Sequence, residues 1–162
     1  MHRGEALLIY ETEVAADWVD YNGHMNDAAY ALVFSRSVDA LMDRIGLDAA
    51  ARKASRRTLF TVQMMLHYFK EASEGQPLFV RCHLLEHDEK RMRVWLEMKA
   101  GREGERLAAS EQLLLSIDQG EDGAHAAPWR AETQAALDAL AHAQRGLEAP
   151  PLAGQGVAMK RR

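Results

Sequence analysis

A mixed α+β fold, one long helix followed by a run of antiparallel strands, is what this sequence of 162 residues predicts. Three patterns carry that expectation. Apolar or small residues recur at Ala31, Phe34, Val38, Leu41, Met42 and Ile45, close to the spacing that buries one face of a helix. From Arg91 to Lys99 the period is two instead: Met92, Val94, Leu96 and Met98 fall on one face, and Arg91, Arg93, Trp95, Glu97 and Lys99 on the other. Gly75-Gln-Pro77 and Gly101-Arg-Glu-Gly104 interrupt the chain where strands must turn.

Taken in order, Leu7 to Val14 reads as a first strand, with β-branched and aromatic residues broken by polar ones. A polar loop follows, and Asn26 or Asp27 is a suitable N-cap for the long helix, which ends near Gly46. Asp48 to Arg57, alanine-rich and basic, suits a short helix or a mobile crossover. Thr58 to Phe69 alternates imperfectly and has no Gly or Pro, which favours a strand. Leu78 to Glu86 is the next strand, joined through His87-Asp-Glu-Lys90 to the strand of clean alternation, and Leu107 to Ile117 is the last. The stretch around Leu84 to Ala100 also contains good helix formers, and its period of two decides against helix. Residues 1–118 therefore form the main domain. In 119–162 the character shifts to Gly, Asp and Ala; Trp129 to Gln144 can form an amphipathic helix, and Pro150-Pro151 opens a tail whose composition permits disorder.

Composition narrows the function. The chain is long enough for one core and short for two domains. It is 48% hydrophobic and 27% charged, with no apolar run near the ~20 residues of a membrane span. No secretory signal is seen at the N-terminus, and Cys82, the single cysteine, excludes an internal disulfide and fits a reducing compartment, so the expected location is the cytoplasm. A net charge of -4 argues against nucleic acid as the partner. Two small basic patches, Lys53 with Arg56 and Arg57, and Lys160-Arg161-Arg162, read as solvated surface before phosphate sites.

The densest chemistry lies in Trp18-Val-Asp-Tyr-Asn-Gly-His-Met-Asn-Asp-Ala-Ala-Tyr30. Asp20, Asn22 and His24 alternate, so an extended loop would send them to one side, with Gly23 supplying conformational freedom. They run directly into a helix start, whose first N–H groups lack intrahelical partners and can hold a developing oxyanion. Singly, each feature is ordinary: Asn-Gly is a common turn, Asn or Asp a common cap, and a loop histidine mostly plain polar surface. The ordered set is what points to catalysis.

Asp20-x-Asn22-Gly23-His24-Met25-Asn26 before a long helix resembles the active-site segment of hotdog-fold thioesterases, which include the 4-hydroxybenzoyl-CoA and the plant acyl-carrier-protein enzymes. The wider wording, with Val38-Asp-Ala-Leu-Met-Asp-Arg-Ile-Gly46, is most similar to the betainyl-CoA thioesterases of bacterial carnitine breakdown. The resemblance covers roughly the first 118 residues. It implies a curved antiparallel sheet wrapped around one helix, assembly as a homodimer or homotetramer, an acyl-CoA substrate, and no cofactor beyond the coenzyme A that the substrate carries. By the same resemblance Asp20 acts as base on water or as nucleophile, Asn22 and His24 orient water, substrate or the acid, and the Asp27 N–H polarises the carbonyl. Gly23, Asn26 and Asp27 would then line the substrate.

Betaine ends in a quaternary ammonium, best held by aromatic faces, which makes Trp18, Tyr21, Tyr30, Phe34 and Trp95 candidates. Against this, Tyr30 and Phe34 suit a helix core and Trp95 a subunit interface. Two rivals stay open: a thioesterase for short, medium or aryl acyl chains, and a non-catalytic acyl-CoA-binding module. His83-Leu-Leu-Glu86-His87 matches a zinc-peptidase pattern, but along a strand four residues separate the rings by about 13 Å, so no metal site is expected. No G-x-S-x-G elbow, P-loop or complete dinucleotide fingerprint is present.

Overall fold

The computed structural model describes residues 4–159; Lys160-Arg161-Arg162 and the first three residues lie outside them. The long helix α1 (Asp27–Arg44) begins where Asn26 accepts the Ala28 N–H on its side chain at 2.7 Å, so Asn26 is the cap and Asp27 the first helical residue. It ends at Gly46, whose φ of 80° only glycine adopts without strain, and the Leu47 N–H turns back to the Met42 carbonyl at 2.9 Å. Tyr30, Val33, Phe34, Ser37, Val38, Leu41 and Met42 form its buried stripe. The short helix α2 (Ala49–Ser55), capped by Asp48, fills the alanine-rich crossover.

A six-stranded antiparallel sheet packs on that stripe. Its main strands are β1 (Leu7–Glu13), β2 (Arg57–Tyr68), β3 (Pro77–His87), β4 (Arg91–Ala100) and β5 (Arg106–Gly120), in the order β1-β3-β4-β5-β2. Leu78, Val80, Cys82 and Leu84 of β3 and Met92, Val94, Leu96 and Met98 of β4 join α1 in one apolar cluster. This is the hotdog arrangement that the resemblance implies. Cys82 is fully buried there, and burial pushes its thiol up to about 12, so it stays protonated and structural. The β3–β4 connection is set by Asp88, whose carboxylate accepts the N–H groups of Lys90 and Arg91 and pairs with the Arg91 guanidinium. That guanidinium, together with the turn N–H groups, holds Asp88 down at about 2.

Three features differ from expectation. A sixth strand, β6 (Gly123–Ala126), folds back on β5 through a turn at Glu121-Asp122. The position taken as the end of the main domain, residue 118, falls inside β5. Beyond it, Trp129, Leu137 and Leu140 belong to the common apolar cluster, the last two from helix α3 (Ala131–Ala143). The tail after Pro150 forms a turn whose Gly154 N–H donates to the Glu111 carboxylate at 2.8 Å on the outer face of the sheet. At the end of α3 the buried Gln144 bridges the chain: its amide oxygen accepts the Leu84 N–H at 2.8 Å, and its amide N–H reaches the Cys82 carbonyl at 2.9 Å. It thereby pairs the edge of β3 just beyond Leu7, where β1 begins.

Candidate active site

The Asp20–His24 segment is a tight turn, not the extended loop that the alternation suggests. The Asp20 N–H donates to the His24 carbonyl and the Gly23 N–H to the Asp20 carbonyl, both at 3.0 Å, and Gly23 has a φ of 78°. The Asp20 carboxylate accepts the Asn22 N–H at 2.8 Å, the local bond that Asp makes in turns. A Val19–Met25 bridge closes the turn at its base, and the Asn26 N–H donates to the Trp18 carbonyl at 2.8 Å. Asp20 and His24 are half-buried; Asn22 and Tyr21 are exposed, Tyr21 to 96% at the tip.

The partner of this turn is the segment after β2. The Met25 N–H donates to the Ala72 carbonyl at 2.8 Å, which lays Phe69–Ala72 alongside and brings Glu71 to 3.7 Å from His24. Between them opens a cleft of about 470 Å³, lined by Met25, Asp27, Tyr30, Tyr68, Phe69, Lys70 and Glu71. Its floor is an aromatic pair, Tyr30 and Tyr68, edge to face at 5.3 Å and 87°. Both hydroxyls are tied to backbone: Tyr30 donates to the Lys70 carbonyl at 3.2 Å and Tyr68 to the Asp27 carbonyl at 3.1 Å. Burial pushes the Tyr30 hydroxyl up, and the negative charge of Glu71 adds to the effect; burial and then the Asp27 charge do the same for Tyr68. Lys70, among the described residues the one cationic side chain lining the cleft, sends its ammonium to Glu105. Among the described residues no acceptor takes the Asp27 N–H, the first donor of α1.

The residues singled out from sequence therefore divide. Asp27 and Tyr30 line the cleft, Asn26 caps the helix at its mouth, and His24 reaches it through Glu71. Asp20, Asn22 and Gly23 form the adjoining turn. Trp18 packs partly on the core with the Arg36 guanidinium over its ring at 5.5 Å, and Phe34 is fully core. Trp95 is not brought to the cleft: its neighbours Val94 and Leu96 point inward, so it stands on the outer face, 2% exposed, with its ring 5.5 Å from that of His67. Sequence reasoning missed Tyr68 and Glu71. The Tyr68-Phe69-Lys70-Glu71 run at a strand end was visible, but only the fold brings it to α1. Of the first basic patch, Arg57 is bonded to the Pro128 carbonyl and Arg56 pairs with Glu121, which leaves ordinary surface pairing.

The fold and the sequence have relatives among known proteins. The pattern of the thioesterase-like superfamily matches residues 14–137. The chain belongs to that superfamily. A betainyl-CoA thioesterase of Pseudomonas aeruginosa is 43% identical to this thioesterase-like chain over 155 residues, 96% of each protein. An L-carnitine dehydrogenase/betainyl-CoA thioesterase of Rhizobium meliloti is 36% identical over 96% of this chain and 31% of its own length. Among solved structures, one from Pseudomonas putida KT2440, provisionally described as a thioesterase, has a TM-score of 0.82 and 40% identity, covering 97% of this chain and 99% of its own. A Staphylococcus aureus protein solved with CoA has a TM-score of 0.86 at 24% identity over 99% and 98% of the two chains, a likeness of fold. No helix among the described residues is long and apolar enough to cross a membrane, and no cluster of three or more His, Cys, Asp or Glu side chains there is placed to hold a metal ion.

Proposed function

We propose that this member of the superfamily hydrolyses betainyl-CoA to glycine betaine and coenzyme A, as a step of carnitine breakdown in the cytoplasm. The observation that carries the reading is the cleft at the start of α1, where an unengaged helix-terminal N–H adjoins an acid-bearing turn. The identity of 43% along nearly all of a protein named for this reaction supports the acyl group. In the reaction the thioester oxygen takes the Asp27 N–H as charge develops on it. Asp20 either draws the proton from a water that attacks the carbonyl carbon, or attacks it directly to give a mixed anhydride that water then hydrolyses; in both, the C–S bond breaks and coenzyme A leaves as the thiolate. Asn22 and His24 orient the acid or the water. The chemistry draws on no cofactor besides the coenzyme A of the substrate.

Thiol release from a panel of betainyl-, isobutyryl- and benzoyl-CoA tests this. The expected result is a kcat/KM for betainyl-CoA about tenfold or more above the others, the size of one well-placed charge interaction. A preference for a neutral acyl group would defeat the betaine assignment, and inertness toward all three would favour a binding module.

The same reading includes a second copy of the chain. β2 lies at the edge of the sheet and exposes Phe60, Val62, Met64 and Tyr68, an apolar and unpaired edge that proteins rarely leave open. A copy paired there would stand beside the cleft, because Tyr68 ends this strand and lines that opening. Light scattering is expected to give the mass of two or four chains, and Val62→Lys to shift the protein toward the monomer. A parent protein with the mass of one chain at assay concentration removes the dimer.

A further inference from the structure

We infer that Glu71 and Tyr68, with Tyr30, hold the cationic end of the acyl group and so set the preference for a quaternary ammonium over a neutral group of the same shape. The inference rests on the betainyl-CoA reading and adds specificity residues to it. A trimethylammonium group neither donates nor accepts hydrogen bonds; it is held by ring faces and by negative charge nearby. The cleft supplies both. Tyr30 and Tyr68 meet edge to face, and their hydroxyls are spent on the Lys70 and Asp27 carbonyls, so they act there as rings and not as donors. Two acidic residues, Glu71 and Asp27, line the same space, while the ammonium of Lys70 is drawn off to Glu105. Among the described residues His24 also faces Glu71, at 3.7 Å. Beyond the effect of burial, a nearby carboxylate also raises each hydroxyl, Glu71 that of Tyr30 and Asp27 that of Tyr68.

Glu71 is suited to a test because its side chain is 74% exposed and, among the described residues, His24 is the one ion-pair partner of its carboxylate. The probe is a pair of substrates that differ only in charge: betainyl-CoA, and 3,3-dimethylbutanoyl-CoA, in which carbon replaces the quaternary nitrogen. The ratio of their kcat/KM values reads the discrimination directly. Glu71→Gln is expected to lower that ratio about threefold or more, and Tyr68→Leu about tenfold by removing a ring face. Tyr68→Phe, which keeps the ring, is expected to hold the parental ratio. If both Glu71→Gln and Tyr68→Leu leave the ratio unchanged, whether or not overall activity falls, the inference is overturned while the substrate reading stands. If the parent protein itself does not prefer the charged substrate, the substrate reading fails and takes the inference with it.

Discussion

Replacing Asp20 by Asn is expected to lower kcat for betainyl-CoA by about 10²–10⁴, the usual contribution of a positioned base or nucleophile, with a much smaller change in KM. The substitution is informative because it should leave the turn intact. What the Asp20 carboxylate does in the fold is accept the Asn22 N–H at 2.8 Å, and an asparagine oxygen accepts the same bond. The thermal midpoint should therefore hold while turnover collapses. Thiol release measured alongside thermal unfolding checks both, and parental turnover in this variant would remove Asp20 from the mechanism.

The second large effect concerns a group that no side-chain deletion can reach. If the Asp27 N–H holds the oxyanion, Asp27→Pro should lower kcat by about 10²–10³, since proline lacks that hydrogen. Few backbone donors can be removed so cleanly. Asp27 is the first residue of α1, where proline is well tolerated, and Asn26 before it sits at ψ 145°, the extended conformation that a following proline requires. Asp27→Ala keeps the N–H and loses only the carboxylate, so it should retain far more activity. Equal rates for the two variants, with helical content preserved by circular dichroism, would show that the donor lies elsewhere.

Much of the scaffold was readable in advance, for definite reasons. α1 and β4 announce themselves because each buries one face, and the residues that repeat at the right period are those found in the core: Phe34, Val38 and Leu41 on one, Met92, Val94, Leu96 and Met98 on the other. β6 has only a weak local signal. Asp122-Gly123 is a hairpin dipeptide, and Gly123 takes a φ of 105° there. Strand order has no comparable local mark; nothing in β2 says that it pairs with β5 at an edge, because that choice is made by long-range packing.

The site divides along the same line. The residue types of the Asp20–His24 turn can be read from the chain, but their directions cannot, since Asp20 bonds to its own turn and Asn-Gly bends it. Trp95 drew attention as the lone aromatic on a charged face, and it serves a buried position on the outer side of the sheet instead. The place of Tyr68 and Glu71 in the site has no local mark in the chain, because it comes from lying next to α1, which only the folded sheet arranges.

Gln144 stands in for backbone that the edge of the sheet would otherwise lack, and this makes one amide a reporter. The Leu84 proton is protected by a side chain from the far end of the chain, not by a neighbouring strand. Its exchange with deuterated solvent should therefore track how firmly the last helix is docked, and a chain shortened before that glutamine would lose this protection first, at the margin of β3.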